Sequence, residues 1–123
     1  MIQPDADAFA AAWIAAWNSH DLDRILEHYA EEVTVISPLI ASVLGNDRDS
    51  VRGKAELRSY WGPALAKFPD LKFELYHALP GVRSVVLHYK SVKNLVGAEY
   101  MEFDERGKVH RVVAHYRAGS DSE

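Results

Sequence analysis

The chain has 123 residues, 48% of them hydrophobic, which is enough to bury one core without covalent staples and points to a single domain spanning residues 1–123. It contains no cysteine, which excludes a disulfide framework, a thiolate nucleophile and Cys-ligated zinc, and fits a reducing compartment such as the cytoplasm. With 14 basic residues against 18 acidic ones the formal charge is -4, and no basic run occurs, so nucleic acid is not an expected partner.

The N-terminal stretch "MIQPDADAFAAAW" has acids and alanines where a signal peptide would need a basic segment and an unbroken apolar one. No later apolar stretch approaches bilayer length, so no membrane is expected either. Phe9, Trp13 and Trp17 recur every four residues beside Ala12 and Ala16, predicting an amphipathic helix over residues 5–18 that begins at Pro4-Asp5. "NSHD" breaks the pattern. Asp21 then serves as N-cap of a second, short helix whose buried positions are Leu22, Ile25, Leu26 and Tyr29.

The β-branched run "VTVIS" predicts a strand, which Pro38 stops by removing a ladder donor. Residues 39–52 read as a long excursion over the surface, of the kind that often covers a site. From Gly53, the spacing of Leu57, Tyr60, Trp61, Leu65 and Phe68 predicts a third helix, kinked or interrupted by Gly62-Pro63. From Leu71 onward the text alternates through "LKFELYHAL", "SVVLHYKSV", "LVGAEYMEF" and "KVHRVVAHY", separated by "PGVR", "KN" and "DERG". These are four successive strands, and "AGSDSE" reads as a frayed tail. Helices first and a meander last predict an α+β domain: three N-terminal helices packed on a curved antiparallel β-sheet.

The order helix, "NSHDLDRILEHYAEEVTVISP", "GKAELRSYW" and the meander ending "MEFDERGKVHRVVAHY" resembles the nuclear-transport-factor-2-like superfamily, with its SnoaL-type polyketide cyclases and ketosteroid isomerases. The likeness runs from about Phe9 to Tyr116. It implies a cystatin-like cone with a central pocket, and a homodimer formed through the outer face of the sheet. It implies no single activity, because isomerases, dehydratases, hydrolases, cyclases and non-enzymes share this scaffold. Against the isomerase pattern, the oxyanion-holding tyrosine falls on Trp13, the general-base aspartate on Ser37, and a supporting tyrosine on Trp61. Only the protonated acid of the oxyanion hole keeps its type, as Glu99. Serine is no base near neutral pH and an indole exchanges no proton, so steroid isomerisation by that route is not expected.

Alternation places Glu99 on one face with Met101 and Phe103, apolar company that would raise its pKa by desolvation and suit it to acid-base work. The alternative is a solvated Glu99 near the hairpin mouth. Tyr89 shares a face with Val85 and Leu87, and Tyr116 with Val112 and Ala114. Each could fix a ligand oxygen or be an ordinary core tyrosine. His110, on the Val112 and Tyr116 face, is the best placed of six histidines for proton transfer. No HxH or HExxH pairing marks a metal site, and neither a nucleophile elbow nor a phosphate-cradling loop is present. No cofactor is implied.

The predicted catalytic set is therefore Glu99, Tyr89, Tyr116 and His110. The predicted pocket wall is Trp13, Trp17, Tyr29, Ser37, Trp61, Leu87, Met101, Phe103 and Val112, which suits a small hydrophobic, cyclic ligand. Three readings follow: a cofactor-free isomerase, cyclase or dehydratase; a non-catalytic binding module; or an interaction domain whose pocket is filled core. Val113, His115 and Tyr76 are the outward positions expected at a homodimer contact.

Overall fold

The computed structural model describes residues 5–119. The helix start at Pro4 and the end of the "AGSDSE" tail, residues 120–123, lie outside the described residues. Helix α1, Ala6–Ser19, is capped by Asp5, whose side chain accepts from the Ala8 N–H at 3.0 Å. It ends at His20, which takes the left-handed conformation (φ 61) and returns its N–H to the Trp17 carbonyl. The "NSHD" break is also a clasp. Asn18 donates to the Phe73 carbonyl at 3.1 Å and accepts the Phe73 N–H at 2.7 Å, while a ring nitrogen of His20 meets the Leu71 carbonyl at 2.8 Å. Residues 71–73 are thereby tied to the end of α1 before the meander starts.

Helix α2 spans Leu22–Leu26, with Asp21 accepting from the Arg24 N–H. It is shorter than the sequence suggested: Tyr29 opens strand β1, Tyr29–Ile36, instead of closing the helix. Tertiary contacts explain the difference. Tyr29 is 1% exposed, its ring lies 5.0 Å from that of Trp61, and its hydroxyl accepts the Trp13 indole N–H at 2.8 Å.

The excursion after Pro38 carries two elements that the sequence reading missed. Its apolar half forms helix α3, Ile40–Leu44, which buries Ile40. Its polar half ends in strand β2, Ser50–Arg52, which pairs with β1 through Val35 and Val51. Helix α4 then runs unbroken over Gly53–Lys67. Pro63 does not interrupt it, because Ser59 and Pro63 both face solvent, where water can satisfy a carbonyl left without its N–H partner. Gly62 faces α2, where a Cβ would stand 3.8 Å from Leu22.

Four strands follow: β3 Glu74–Gly81, β4 Ser84–Lys90, β5 Leu95–Phe103 and β6 Val109–Ala118. The six strands form one sheet in the order β2-β1-β6-β5-β4-β3. The sheet is mixed and not wholly antiparallel, because β1 runs parallel to β6, with Val35 beside Val112. The class remains α+β. Helices α1 and α4 cover the inner face, where Trp13, Trp17, Trp61, Phe73 and Tyr89 interlock with ring centroids 4.9 to 6.1 Å apart. Among the described residues no helix is long and apolar enough to cross a membrane.

Candidate functional site

Strands β4, β5 and β6 bring three polar side chains to one point on the inner face. In register, Tyr89 and Tyr116 flank Gly97 across the ladder, and Glu99 lies two residues further along the central strand, so it shares their face. Gly97 has no side chain to hold the two rings apart. A Cβ there would stand 3.0 Å from the Tyr116 ring and 3.0 Å from two atoms of the Tyr89 ring. Both rings lean over the gap and reach Glu99. Tyr89 donates to Glu99 Oε1 at 2.5 Å, Tyr116 donates to the same oxygen at 3.1 Å, and the two hydroxyls lie 3.2 Å apart.

Glu99 is 8% exposed and has no cationic partner among the described residues. Burial raises its carboxyl above the ordinary glutamate value, and the two tyrosine hydrogen bonds oppose that shift only in part. Burial and the neighbouring Glu99 charge hold the Tyr89 and Tyr116 phenols well above their usual range. The tyrosines are therefore donors at neutral pH. The carboxyl group alone exchanges a proton under mild conditions.

Beside this cluster lies a cavity of about 260 Å³, small for a ligand pocket, whose usual range begins near 300 Å³. Its lining is mainly apolar. Trp17, Tyr60, Trp61 and Phe73 form an aromatic wall, α3 and the residue before it contribute Leu39 and Val43, and Glu99, Tyr89, Tyr116 and Ala114 come from the sheet. At the solvent end stand Lys67, Phe68, Val92 and Lys93. Two further polar details mark the wall. The Trp17 indole N–H is buried without a hydrogen-bond partner among the described residues, an uncommon debt for a native interior. Burial pushes the Tyr60 phenol up to about 12.

Of the residues singled out in the sequence, Trp17, Ser37, Trp61, Tyr89, Glu99 and Tyr116 line this cavity. Ser37 is partly committed to its own turn, since its hydroxyl accepts the Leu39 N–H at 3.2 Å. Trp13, Tyr29, Leu87, Met101, Phe103 and Val112 do not line it; they are solid core, each no more than 4% exposed. Trp13 is excluded because Phe73 stacks on it at 5.6 Å and Tyr89 meets it edge-on at 5.1 Å, filling the space that the indole would otherwise face.

His110 lies apart from the cluster as well. Where β5 meets β6, Glu102 pairs with Arg111 but Phe103 pairs with Val109, so His110 is the extra residue of a bulge. The bulge turns it outward, where its ring nitrogen lies 2.9 Å from Glu102. Tyr60, Phe73, the α3 residues and the two lysines were missed as site residues. Only Tyr60 carried a usable signal, sharing the helical stripe of Trp61.

A helix-covered sheet that holds a hollow beside a buried carboxyl group is an α+β architecture of the cystatin-like kind. The chain belongs to the SnoaL-like domain family, whose sequence pattern matches residues 10–121. It is similar to a SnoaL-like protein of unknown function from Burkholderia thailandensis, at 41% identity over 92% of this chain and 94% of that one, with a TM-score of 0.88. A SnoaL-like family protein from Agrobacterium tumefaciens, at 18% identity over 92% and 97% of the two chains and a TM-score of 0.74, shares the fold. So does a protein with a cystatin-like fold from Methylobium petroleophilum, at 16% identity over 94% and 77% of the two chains, with a TM-score of 0.72. No curated protein matches the chain.

Proposed function

We propose that the chain is a cofactor-free enzyme that holds a small, mostly hydrophobic, cyclic molecule in the cavity and moves a proton on it, in an isomerisation, cyclisation or elimination. The observation that carries this reading is Glu99: a carboxyl group buried against an apolar hollow, with a raised pKa, and with both tyrosine bonds directed to Oε1. Among the described residues Oε2 receives no such bond and is the oxygen available to a ligand. The neutral acid can donate a proton to a carbonyl or leaving oxygen; once ionised it can take a proton from carbon. Tyr89 and Tyr116 hold the carboxyl in place and stabilise its ionised form. His110 and Trp13 take no part. Two structural neighbours carry names that fit this class, a candidate isomerase from Agrobacterium tumefaciens and a candidate ketosteroid isomerase from Kribbella flavida.

A second reading, a binding module without chemistry, draws support from Ser37. That residue occupies the position that resemblance assigns to the isomerase base, and its hydroxyl is engaged by the Leu39 N–H. Deuterium exchange separates the two. A panel of cyclic ketones is first screened for thermal stabilisation of the protein, and each binder is followed by NMR in heavy water. Exchange at the carbon next to the carbonyl, lost in Glu99→Gln with affinity kept, is the enzyme's result. Binding without exchange in the wild type leaves the binding module. We also propose that two chains pair through the outer face of the sheet. Tyr76 and His88 pack there with ring centroids 5.1 Å apart, and Val113 and His115 lie on the same face.

A further inference from the structure

The solvent end of the cavity carries a charge pattern that the acidic composition gives no reason to expect. Lys67, Phe68, Leu71, Ser91, Val92 and Lys93 line both the cavity and a depression of about 370 Å³, so the two lie side by side across these residues. The outer depression adds Lys72, Asp70 and Lys90, the last of which stands opposite Glu74 in register. In a chain of net charge -4, Lys67, Lys72, Lys90 and Lys93 thus border one depression, and Lys67 and Lys93 the cavity as well. Among the described residues none of them is ion-paired; the salt bridges lie elsewhere, at Arg48–Glu56, Lys54–Glu31, Arg58–Asp23 and His110–Glu102.

Two of these lysines share one aromatic neighbour. The Lys67 ammonium lies 5.7 Å and the Lys93 ammonium 5.5 Å from the centroid of the same Phe68 ring. The ring attracts each cation, and two unpaired positive charges beside one ring make this a favourable place for an anion. Lys93 is also set in a left-handed backbone conformation (φ 53) beside Asn94 (φ 60). For a lysine that conformation is strained where a glycine would not be. The turn therefore carries a lysine at a position whose backbone suits glycine best.

We infer that the ligand of this cavity is an amphipathic anion, with an apolar ring system against the Trp17, Trp61 and Phe73 wall and a carboxylate or phosphate head held by the lysines at the mouth. This inference rests on the reading of the cavity as a ligand site and deepens it by naming the chemical class. The geometry suits a body inserted first and a head left at the rim, because the polar end meets exposed ammonium groups that need not be desolvated. Orientation follows from the same arrangement: the end of the ligand away from its anionic head points toward Glu99.

The test uses three probes with the same apolar body: naphthylacetate, naphthyl phosphate and the neutral naphthylacetamide, titrated calorimetrically at low and at high ionic strength. The anions should bind at least about tenfold more tightly than the amide at low salt, and salt should shrink that ratio. In the double variant Lys67→Met, Lys93→Met the ratio of anion to amide affinity should fall near one, since methionine keeps the apolar stem and removes the charge. A tighter phosphate than carboxylate assigns a dianionic head and the reverse a carboxylate, and either supports the inference. If the amide binds as tightly as the anions, or if the preference survives in the double variant, the anionic head is refuted and the cavity reading stands. If none of the three binds, the cavity takes no hydrophobic body and both fail.

Discussion

Replacing Gly97 with alanine adds one methyl group at the point where the two tyrosine rings lean together. In ordinary packing, carbon atoms approach to about 3.5–4.0 Å, whereas the new Cβ would stand 3.0 Å from Tyr116 Cε1 and from Cε1 and Cζ of Tyr89. Each ring must retreat by about 0.5 Å or more to restore normal contact. Tyr89 has little room to do so, being 1% exposed and wedged between Trp13 and Phe73. Tyr116 is freer, but its bond to Glu99 is already 3.1 Å long and would be lost. Overpacking of this kind costs about 1–3 kcal/mol, while removing glycine from the unfolded chain returns about 0.4–1 kcal/mol. The steric cost wins. A net loss of about 1–2 kcal/mol corresponds to a melting temperature lower by roughly 4–8 °C. Because the tyrosine bonds hold the Glu99 carboxyl down against burial, losing one should raise its titration midpoint further. Urea unfolding gives the first quantity and a carbon-13 NMR titration of the Glu99 carboxyl the second. A variant as stable as the parent, with the Glu99 midpoint unmoved, would show that the glycine gap does not seat the tyrosines.

Burial of Glu99 predicts a pH dependence of stability. Its folded pKa is raised above the unfolded value, near 4.5, so the unfolded chain releases this proton first. Stability should fall as pH rises from that value to the folded one, by at most about 1.4 kcal/mol per pH unit. Glu99→Gln removes this contribution, so the urea midpoints of parent and variant should diverge across that window; parallel curves would mean the carboxyl is not held neutral by its surroundings. On the outer face, sedimentation equilibrium at micromolar concentration should return twice the chain mass, and Tyr76→Glu should return a single chain. A parent that sediments as one chain refutes the pairing.

Periodicity is a local property, and what it encodes was legible. The four-residue recurrence of Phe9, Trp13 and Trp17 defined α1, and the alternation after Leu71 defined the four strands β3 to β6. The same alternation turned Tyr89, Glu99 and Tyr116 each to an apolar side of its own strand, and the pairing of the strands brings their hydroxyl and carboxyl groups together. With the family resemblance, the α+β class and its cone followed. Other features depended on pairings between distant parts of the chain. A one-residue bulge turned His110 outward although its neighbours alternate inward. The parallel pairing of β1 with β6 is set by where the helices return the chain, which no local pattern records.

Which aromatics border empty space could not be read from text, because burial and cavity lining look alike in an apolar stripe. Trp13 and Trp17 sit one helical turn apart, yet Phe73 and Tyr89 fill the space around the first, while the second borders the hollow. The lysines at the mouth come from α4, the segment ahead of β3, the end of β4 and the turn before β5, so their shared field arises only when the chain is folded. The sequence by itself determined which residues seek the interior and which groups carry charge. Only tertiary structure decided which interior positions stay unfilled and which charges face one another, because both depend on the order in which large side chains occupy a shared volume.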